Sequence, residues 1–393
     1  MRTVKWNAFL SGLCASALVL GVVAGGAQAD VTIEKGASIL IFPKVRVNTT
    51  TDTIIQIANT GNSMVHARCF YVDATLTDRD HGTPCTIPSQ FCVPNWQETD
   101  FNIWLTKQQP THWLVSTGRN VDPFDGFGHD GSGFDPGRVP PETPFEGELK
   151  CIEVSESEEP ITGNHLKGEA TIKTISGVNI GDVSKYNAIG IQGNPDAQPA
   201  SNALALDGDT YDACPAQLIV NHAATFSEDD VAALLPGDGL CSEDPTSCSS
   251  VSTELTLVPC SENFENQLPT STTVQFVVYN EFEERFSAST TVTCYLSTEI
   301  TNLDSPQGQN PDLSIFSIGV LHTDTATTWI TPVNTNGASN GAVVGIAERT
   351  VAVTRPIPAA PPATISARAA YNTHSTGNLI PTDGPDQITL SEH

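Results

Sequence analysis

The run Asp122-Pro-Phe-Asp125-Gly-Phe-Gly-His-Asp130-Gly-Ser-Gly-Phe-Asp135 sets four carboxylates on a glycine-rich stretch. Calcium takes six to eight oxygen ligands from flexible backbone, so Asp122, Asp125, Asp130 and Asp135 could fold around one ion. The spacing departs from the D-x-[DN]-x-[DN]-G loop that ends in a glutamate, and a solvated loop closed by Asx-turns is the plainer alternative. Asp207, Asp209 and Asp212, in LDGDTYD, form a second and weaker set. Aromatic side chains offer another chemistry. Trp96, Trp104 and Trp113 lie close in sequence, with Phe91, Phe101 and Tyr71 nearby. Exposed on a sheet they could stack on sugar rings; buried, they would fill a core, and Trp104 falls at a core position of an alternating strand. Catalytic spacing is missing. The chain has no G-x-S-x-G, no H-E-x-x-H, no S-x-x-K with its partner motifs, no phosphate loop and no dinucleotide fingerprint. Its histidines are scattered singly, and nothing among 45 acidic residues marks a pair for glycoside hydrolysis.

The N-terminus reads as an export signal. Arg2 and Lys5 precede an apolar stretch from Phe9 to Ala24, and Ala27-Gln28-Ala29 offers small residues to a signal peptidase. The apolar core is shorter than the roughly 20 residues a bilayer needs, which disfavours an anchor. Leu13 before Cys14 disfavours lipidation. Cleavage predicts a mature chain from Asp30, with no transmembrane segment, located outside the cell, on its surface or in a periplasm. The formal net charge is −27, and losing Arg2 and Lys5 makes it more negative. Such a chain repels nucleic acid and anionic lipid and suits calcium, cationic partners or a salty medium. No other cofactor is implied.

Nine of the ten cysteines lie beyond the signal. In an exported chain they read first as disulfides, and no CxxC or Cys/His cluster argues for zinc. Cys85 with Cys92, and Cys241 with Cys248, share short loops and are the expected local bridges. Cys260 is expected to meet Cys294, and Cys69 to meet Cys151. The odd count leaves Cys214 as a buried free thiol.

Period-two alternation fills the chain. Strands are expected at 38–42, ended by Pro43, then at 52–58, 66–73, 101–105, 111–115 and 147–154. Others are expected at 166–175, 185–191 and 214–222, and a second series follows at 254–258, 272–279, 289–296, 313–320, 327–331 and 341–353. The two series match in order. Ile54-Ile55-Gln56-Ile57-Ala58-Asn59 answers Val274-Gln275-Phe276-Val277-Val278-Tyr279-Asn280, Cys69 answers Cys294, and Trp113-Leu114 answers Trp329-Ile330. The pattern suggests a duplicated β-sandwich unit. Residues 227–235 carry the one good helix signal of the mature chain.

The strand and turn IIQIANTGN at 54–62 resembles the immunoglobulin-like sandwich modules of exported bacterial proteins. That resemblance implies an all-β fold of two related immunoglobulin-like β-sandwich domains with long loops and an extended C-terminal tail. The boundaries expected are a signal peptide at 1–29, a first sandwich at 30–235, a linker at 236–251, a second sandwich at 252–355 and a tail rich in Pro, Ala and Thr at 356–393. The leading functional reading is a non-catalytic structural or adhesive protein of the envelope or matrix, with cell-surface or self-association partners. A carbohydrate- or calcium-binding module is the alternative, and a hydrolase assembled from distant residues is the third.

Overall fold

The computed structural model describes residues 31–78, 92–119, 137–199, 202–226, 249–304, 313–333, 341–355, 363–379 and 385–391. The export signal, the 122–135 loop and the 227–235 helix signal lie outside them. Within them the chain is nearly all β, as its abundance of Thr, Val, Ile and turn residues requires.

The strands form five sheets of three to five strands and one ribbon. The first sheet runs β11(Ile189–Ile191), β1(Ile39–Val47), β8(Phe145–Val154), β3(Val65–Asp73), β6(Gln97–Leu105). The second runs β10(Val183–Asn187), β9(Leu166–Thr174), β2(Thr51–Asn59), β7(Pro110–Leu114). The third joins β12(Ala203–Leu206), β23(Asp386–Thr389) and β15(Glu262–Asn263). The fourth is β17(Arg285–Thr293), β16(Ser271–Asn280), β19(Thr325–Pro332), β13(Pro215–Ala223), β22(His374–Asn378). The fifth is β18(Leu296–Glu299), β14(Ser249–Pro259), β20(Val343–Arg355), β21(Ala363–Asn372). The ribbon pairs β4(Leu76–Asp78) with β5(Cys92–Pro94).

These sheets stand blade against blade in a five-bladed, propeller-like arrangement, which corrects the expectation of two immunoglobulin-like sandwich domains. The packing shows why. A free-standing sandwich buries one face of each sheet, but the first and fifth sheets bury both. Leu40, Phe42, Tyr71 and Leu149 of the first sheet pack on Ile55, Ile57 and Trp113 of the second. Its opposite face, with Ile39, Ile41, Phe70 and Ile152, packs on Leu204 and Ile388 of the third and Val258 and Val344 of the fifth. The other face of the fifth, with Leu255, Leu257 and Ala347, packs on Phe276, Val278 and Ile330 of the fourth. β13, which falls in the expected first sandwich, pairs with β19, which falls in the expected second. Nor is 356–393 an extended tail: β21 pairs with β20 from Ile346 to Arg355, β22 extends β13, and β23 pairs with β12.

Buried charges tie the blades together. Lys44, 1% exposed, pairs with Glu254 at 2.7 Å and Glu348 at 3.6 Å on the fifth sheet. Arg46 reaches Glu146 at 2.6 Å and the same Glu254 at 2.8 Å. Arg368 joins Asp182 of the β9–β10 hairpin to Glu348. Lys150 of β8, fully buried, lies between Glu148 and Glu262, the latter on the third sheet. Removing one member of such a set leaves an uncompensated buried charge, so these ions fix how the sheets meet.

The cysteines only partly follow expectation. Cys69 and Cys151 are joined across neighbouring strands of the first sheet. Cys214 is bonded to Cys260, so it is not the free thiol, and the Cys260–Cys294 pairing is corrected. Among the described residues Cys294 is the free cysteine, and it is buried. It follows β17 with φ at 61°, a left-handed turn that carries the chain into β18, and Cys260 is taken by Cys214. Cys92 is disulfide-bonded. Cys85, Cys241 and Cys248 lie outside the described residues. Disulfides fit an exported protein. Among the described residues no helix is long and apolar enough to cross a membrane.

Candidate functional site

The sequence-selected residues do not come together. Asp122, Asp125, Asp130 and Asp135 lie outside the described residues. Among the described ones, no group of three or more His, Cys, Asp or Glu is placed to hold a metal. Asp207 instead accepts the N–H groups of Asp209, at 2.9 Å, and Thr210, at 2.7 Å, closing an Asx-turn. The three tryptophans are divided. Trp113 is buried, donates its indole N–H to the Tyr71 hydroxyl at 2.6 Å and meets Phe101 edge-on. Trp104 stacks on His66 with centroids 3.7 Å apart. Trp96 packs against the core between the first and third sheets. Phe91 lies outside the described residues.

The tryptophan that stands on an open face is Trp329, 40% exposed. It sits on β19, in the centre of the fourth sheet, whose inner face of Val274, Phe276, Val278, Leu218, Val220 and Ile330 is packed. Alternation sends the intervening residues outward. Register arranges them in cross-strand rows. One row reads Arg285, Tyr279, Thr327, Asn221. The next reads Ser287, Val277, Trp329, Ile219, His374, and the third Ser289, Gln275, Thr331, Gln217, Thr376. Tyr279 and Trp329 lie with centroids 5.4 Å apart at 58°. Thr327 donates its hydroxyl to Asn221 Oδ1 at 2.8 Å, and Gln217 Nε2 donates to Thr331 Oγ1 at 3.1 Å. These bonds hold amides and hydroxyls in fixed directions beside the indole. In a chain with 45 acidic residues, the three rows contain no carboxylate. Glu281 stands at the rim, where it accepts the Thr325 hydroxyl at 2.7 Å.

Where β22 leaves the edge of β13, the end of the first row opens into a pocket of about 270 Å³ lined by Asn221, His222, Ala223, Arg349, Ala369 and Tyr371. The Tyr371 hydroxyl donates to the Asn221 carbonyl at 2.9 Å and closes the floor. His222 is not a free base there. Its Nδ1 faces the Ala223 carbonyl, which can only accept, so Nδ1 carries the proton and Nε2 accepts from Thr328 Oγ1 at 2.8 Å. Burial lowers its pKa, and the ring stays neutral.

No protein-family model matches the chain, and no curated protein matches it. Among solved structures it is similar to Thermotoga maritima 1070, at 10% identity over 40% of this chain and 98% of that one, with a TM-score of 0.23. A protein from Parabacteroides distasonis ATCC 8503 matches at 9% identity over 79% of this chain and 86% of that one, with a TM-score of 0.16. Likenesses this low carry neither fold nor function across, and the site stands on its own geometry.

Glu153 and His165 form an acid–base dyad of the kind a hydrolase uses. Glu153 accepts the His165 backbone N–H at 3.0 Å and faces its Nδ1 at 2.7 Å. Burial raises the carboxyl pKa, and the His165 bonds oppose that. Among the described residues no Ser, Thr or Cys side chain hydrogen-bonds to the His165 ring, the arrangement that would activate a nucleophile. The fourth-sheet face does not show in the sequence because Trp329 stands far from the other tryptophans, and its partners Tyr279, Asn221 and Gln217 come from two other strands, β16 and β13.

Proposed function

We propose that the protein is a non-catalytic, exported adhesive protein that holds neutral polysaccharide against the outer face of its fourth sheet. The carrying observation is the row of Ser287, Val277, Trp329, Ile219 and His374, flanked on both sides by hydroxyl- and amide-bearing rows without a carboxylate. A pyranose ring offers an apolar face to an indole and hydroxyls to Thr, Asn and Gln, and a broad flat sheet suits a chain of such rings better than a single small molecule. The absence of carboxylates removes a desolvation cost that one would impose on an uncharged ligand. Retention on insoluble cellulose, chitin and starch, together with a glycan array, tests the reading. Trp329→Ala is expected to weaken retention about tenfold, as loss of one stacked indole worth roughly 1.4 kcal/mol implies. Absence of glycan retention, or equal retention by Trp329→Ala, overturns it.

A further inference from the structure

The fourth sheet ends in a strand that nothing among the described residues covers. β17 runs for nine residues, Arg285 to Thr293, and pairs with β16 at every position without a register shift. Its other side pairs with no described strand. A long edge of this kind is a template for another strand unless it is blunted.

Among the described residues, the edges of β21 and β6 are blunted and those of β7, β10 and β22 are short. β21 is capped by the β9–β10 hairpin: Asn179 accepts the Ser366 N–H at 3.1 Å and donates to its hydroxyl at 2.7 Å, while Asp182 holds Arg368 at 3.1 Å. β6 carries Glu98 and Asp100 and is crossed by Gly137, where an added Cβ would meet the Asn102 carbonyl at 2.7 Å. β7 starts at Pro110 and is five residues long, and β10 and β22 are equally short. β17 has none of these devices. From Phe286 to Thr293 it reads FSASTTVT, with no charge, proline or glycine, in a chain of net charge −27.

We infer that β17 is a homodimer contact: a second copy adds its own β17 antiparallel, about a two-fold axis at Ser289. The sequence is self-complementary in that register. Ser289 faces Ser289, Ser287 faces Thr291, Phe286 faces Val292, and Arg285 faces Thr293 and not another Arg285. Opposed hydroxyls already stabilise this region, since Ser271 meets Thr293 at 2.9 Å and Thr273 meets Thr291 at 3.0 Å on the β16 side. Two strongly acidic copies repel at long range, so contact is favoured where carboxylates are absent, as they are from Phe286 to Thr293 of β17. A two-fold strand pairing uses up the edge on both copies and closes as a dimer instead of growing into a fibre. Opposed residues keep their side chains on one side, so the two outer faces become one ten-stranded surface.

Light scattering coupled to size exclusion on the mature chain, without glycan, tests this independently of the adhesive reading. The wild type is expected at twice the chain mass. Ser289→Lys sets two ammonium groups against each other at the axis and is expected to halve the mass while circular dichroism and a cooperative melt show the fold intact, because Ser289 is exposed in the single chain. Mixing Ser289→Lys with Ser289→Asp is expected to restore the doubled mass, and Trp329→Ala to leave it intact. A wild type of single-chain mass, or a dimer indifferent to Ser289→Lys, overturns the inference.

Discussion

Trp113 and Trp329 occupy matching places in the sequence and opposite places in the structure. Each lies on a strand paired to an apolar neighbour: Trp113 on β7 opposite Ile55 of β2, Trp329 on β19 opposite Val277 of β16. Trp113 is 3% exposed and bonded to Tyr71, whereas Trp329 is 40% exposed on the open face. Side chains alternate with period two, so one residue of offset between tryptophan and core turns the indole from packing to display. The inward positions on β19 are filled by Ala326, Thr328 and Ile330, and Trp329 falls between two of them. Nor do the flanking strands correspond. β3, which carries Cys69, sits inside the first sheet between β8 and β6, whereas β17, which leads to Cys294, is the outer edge of the fourth. Matching motifs in different spatial order do not support a repeat, and the lesson is that a shared strand pattern fixes neither which face is buried nor which sheet a strand joins.

The largest effect expected from breaking this contrast is on stability at the first site. Trp113→Ala should cost about 3–5 kcal/mol, because it empties a packed position and strands the Tyr71 hydroxyl. Trp329→Ala should change stability by less than about 1 kcal/mol while weakening glycan retention. Urea unfolding of both variants measures the difference, and equal losses would abolish the distinction between packed and displayed indoles.

Next in size are the cross-links. Cys69–Cys151 closes a sequence separation of 82 and Cys214–Cys260 one of 46, so each contributes about 4 kcal/mol in the chain-entropy picture. Cys294, matched to Cys69 in sequence, has no such bond. Cys69→Ala with Cys151→Ala should therefore lower the unfolding free energy several-fold more than Cys294→Ala, which removes one buried thiol. Comparable losses would mean that Cys294 holds the second region as firmly as a cross-link does.

Much of the strand content was legible because period-two alternation is local, but sheet membership was not. The expected strand at 185–191 is split between β10 of the second sheet and β11 of the first. β1 was expected to stop at Pro43, yet it continues to Val47 through an irregular register between Phe42 and Val45. A bulge tolerates the missing donor and carries Lys44 to its acidic partners. The strand expected at 313–320 is instead a turn leading into α1(Ile318–Leu321). Asp304 holds this turn by accepting the Ser314 hydroxyl at 2.6 Å and the Ile315 N–H at 2.7 Å, side-chain bonds that no alternation pattern records. The candidate site failed to show for the same reason: its rows run across strands, at right angles to the sequence.

Charge sharpens the comparison between regions, because two carboxylates are shifted in opposite directions. Glu254 of the fifth sheet would be raised by burial, but Lys44 and Arg46 hold it well below the ordinary carboxylate range. Its contribution is present above its unfolded pKa and is lost only as pH falls through that depressed value. Glu254→Gln leaves Lys44 and Arg46 short of a partner and should cost about 3 kcal/mol near neutral pH. A variant as stable as the wild type would show that Glu348 and Glu146 suffice.

The smallest effect concerns Glu98 on β6, whose pKa burial pushes up to about 7; Asp100 and Glu262 add to the rise and Arg68 opposes it. Its Oε2 is buried without a hydrogen-bond partner, so the protonated form suits the folded chain. Between the ordinary value of 4.5 and about 7, the folded state holds a proton that the unfolded state has released. Stability must then fall as pH rises through that window, the reverse of the Glu254 case. Other buried acids on this side, Glu148 and Glu153, are also shifted upward, so the wild-type slope alone does not isolate Glu98. The difference between wild type and Glu98→Gln does. Urea midpoints taken from below pH 4.5 to pH 8 should show the variant gaining on the wild type as pH rises and levelling above about 7. Solvent screening at this partly exposed group keeps the gain small. Parallel curves for the two proteins would show that Glu98 ionises freely and that Arg68 outweighs its burial.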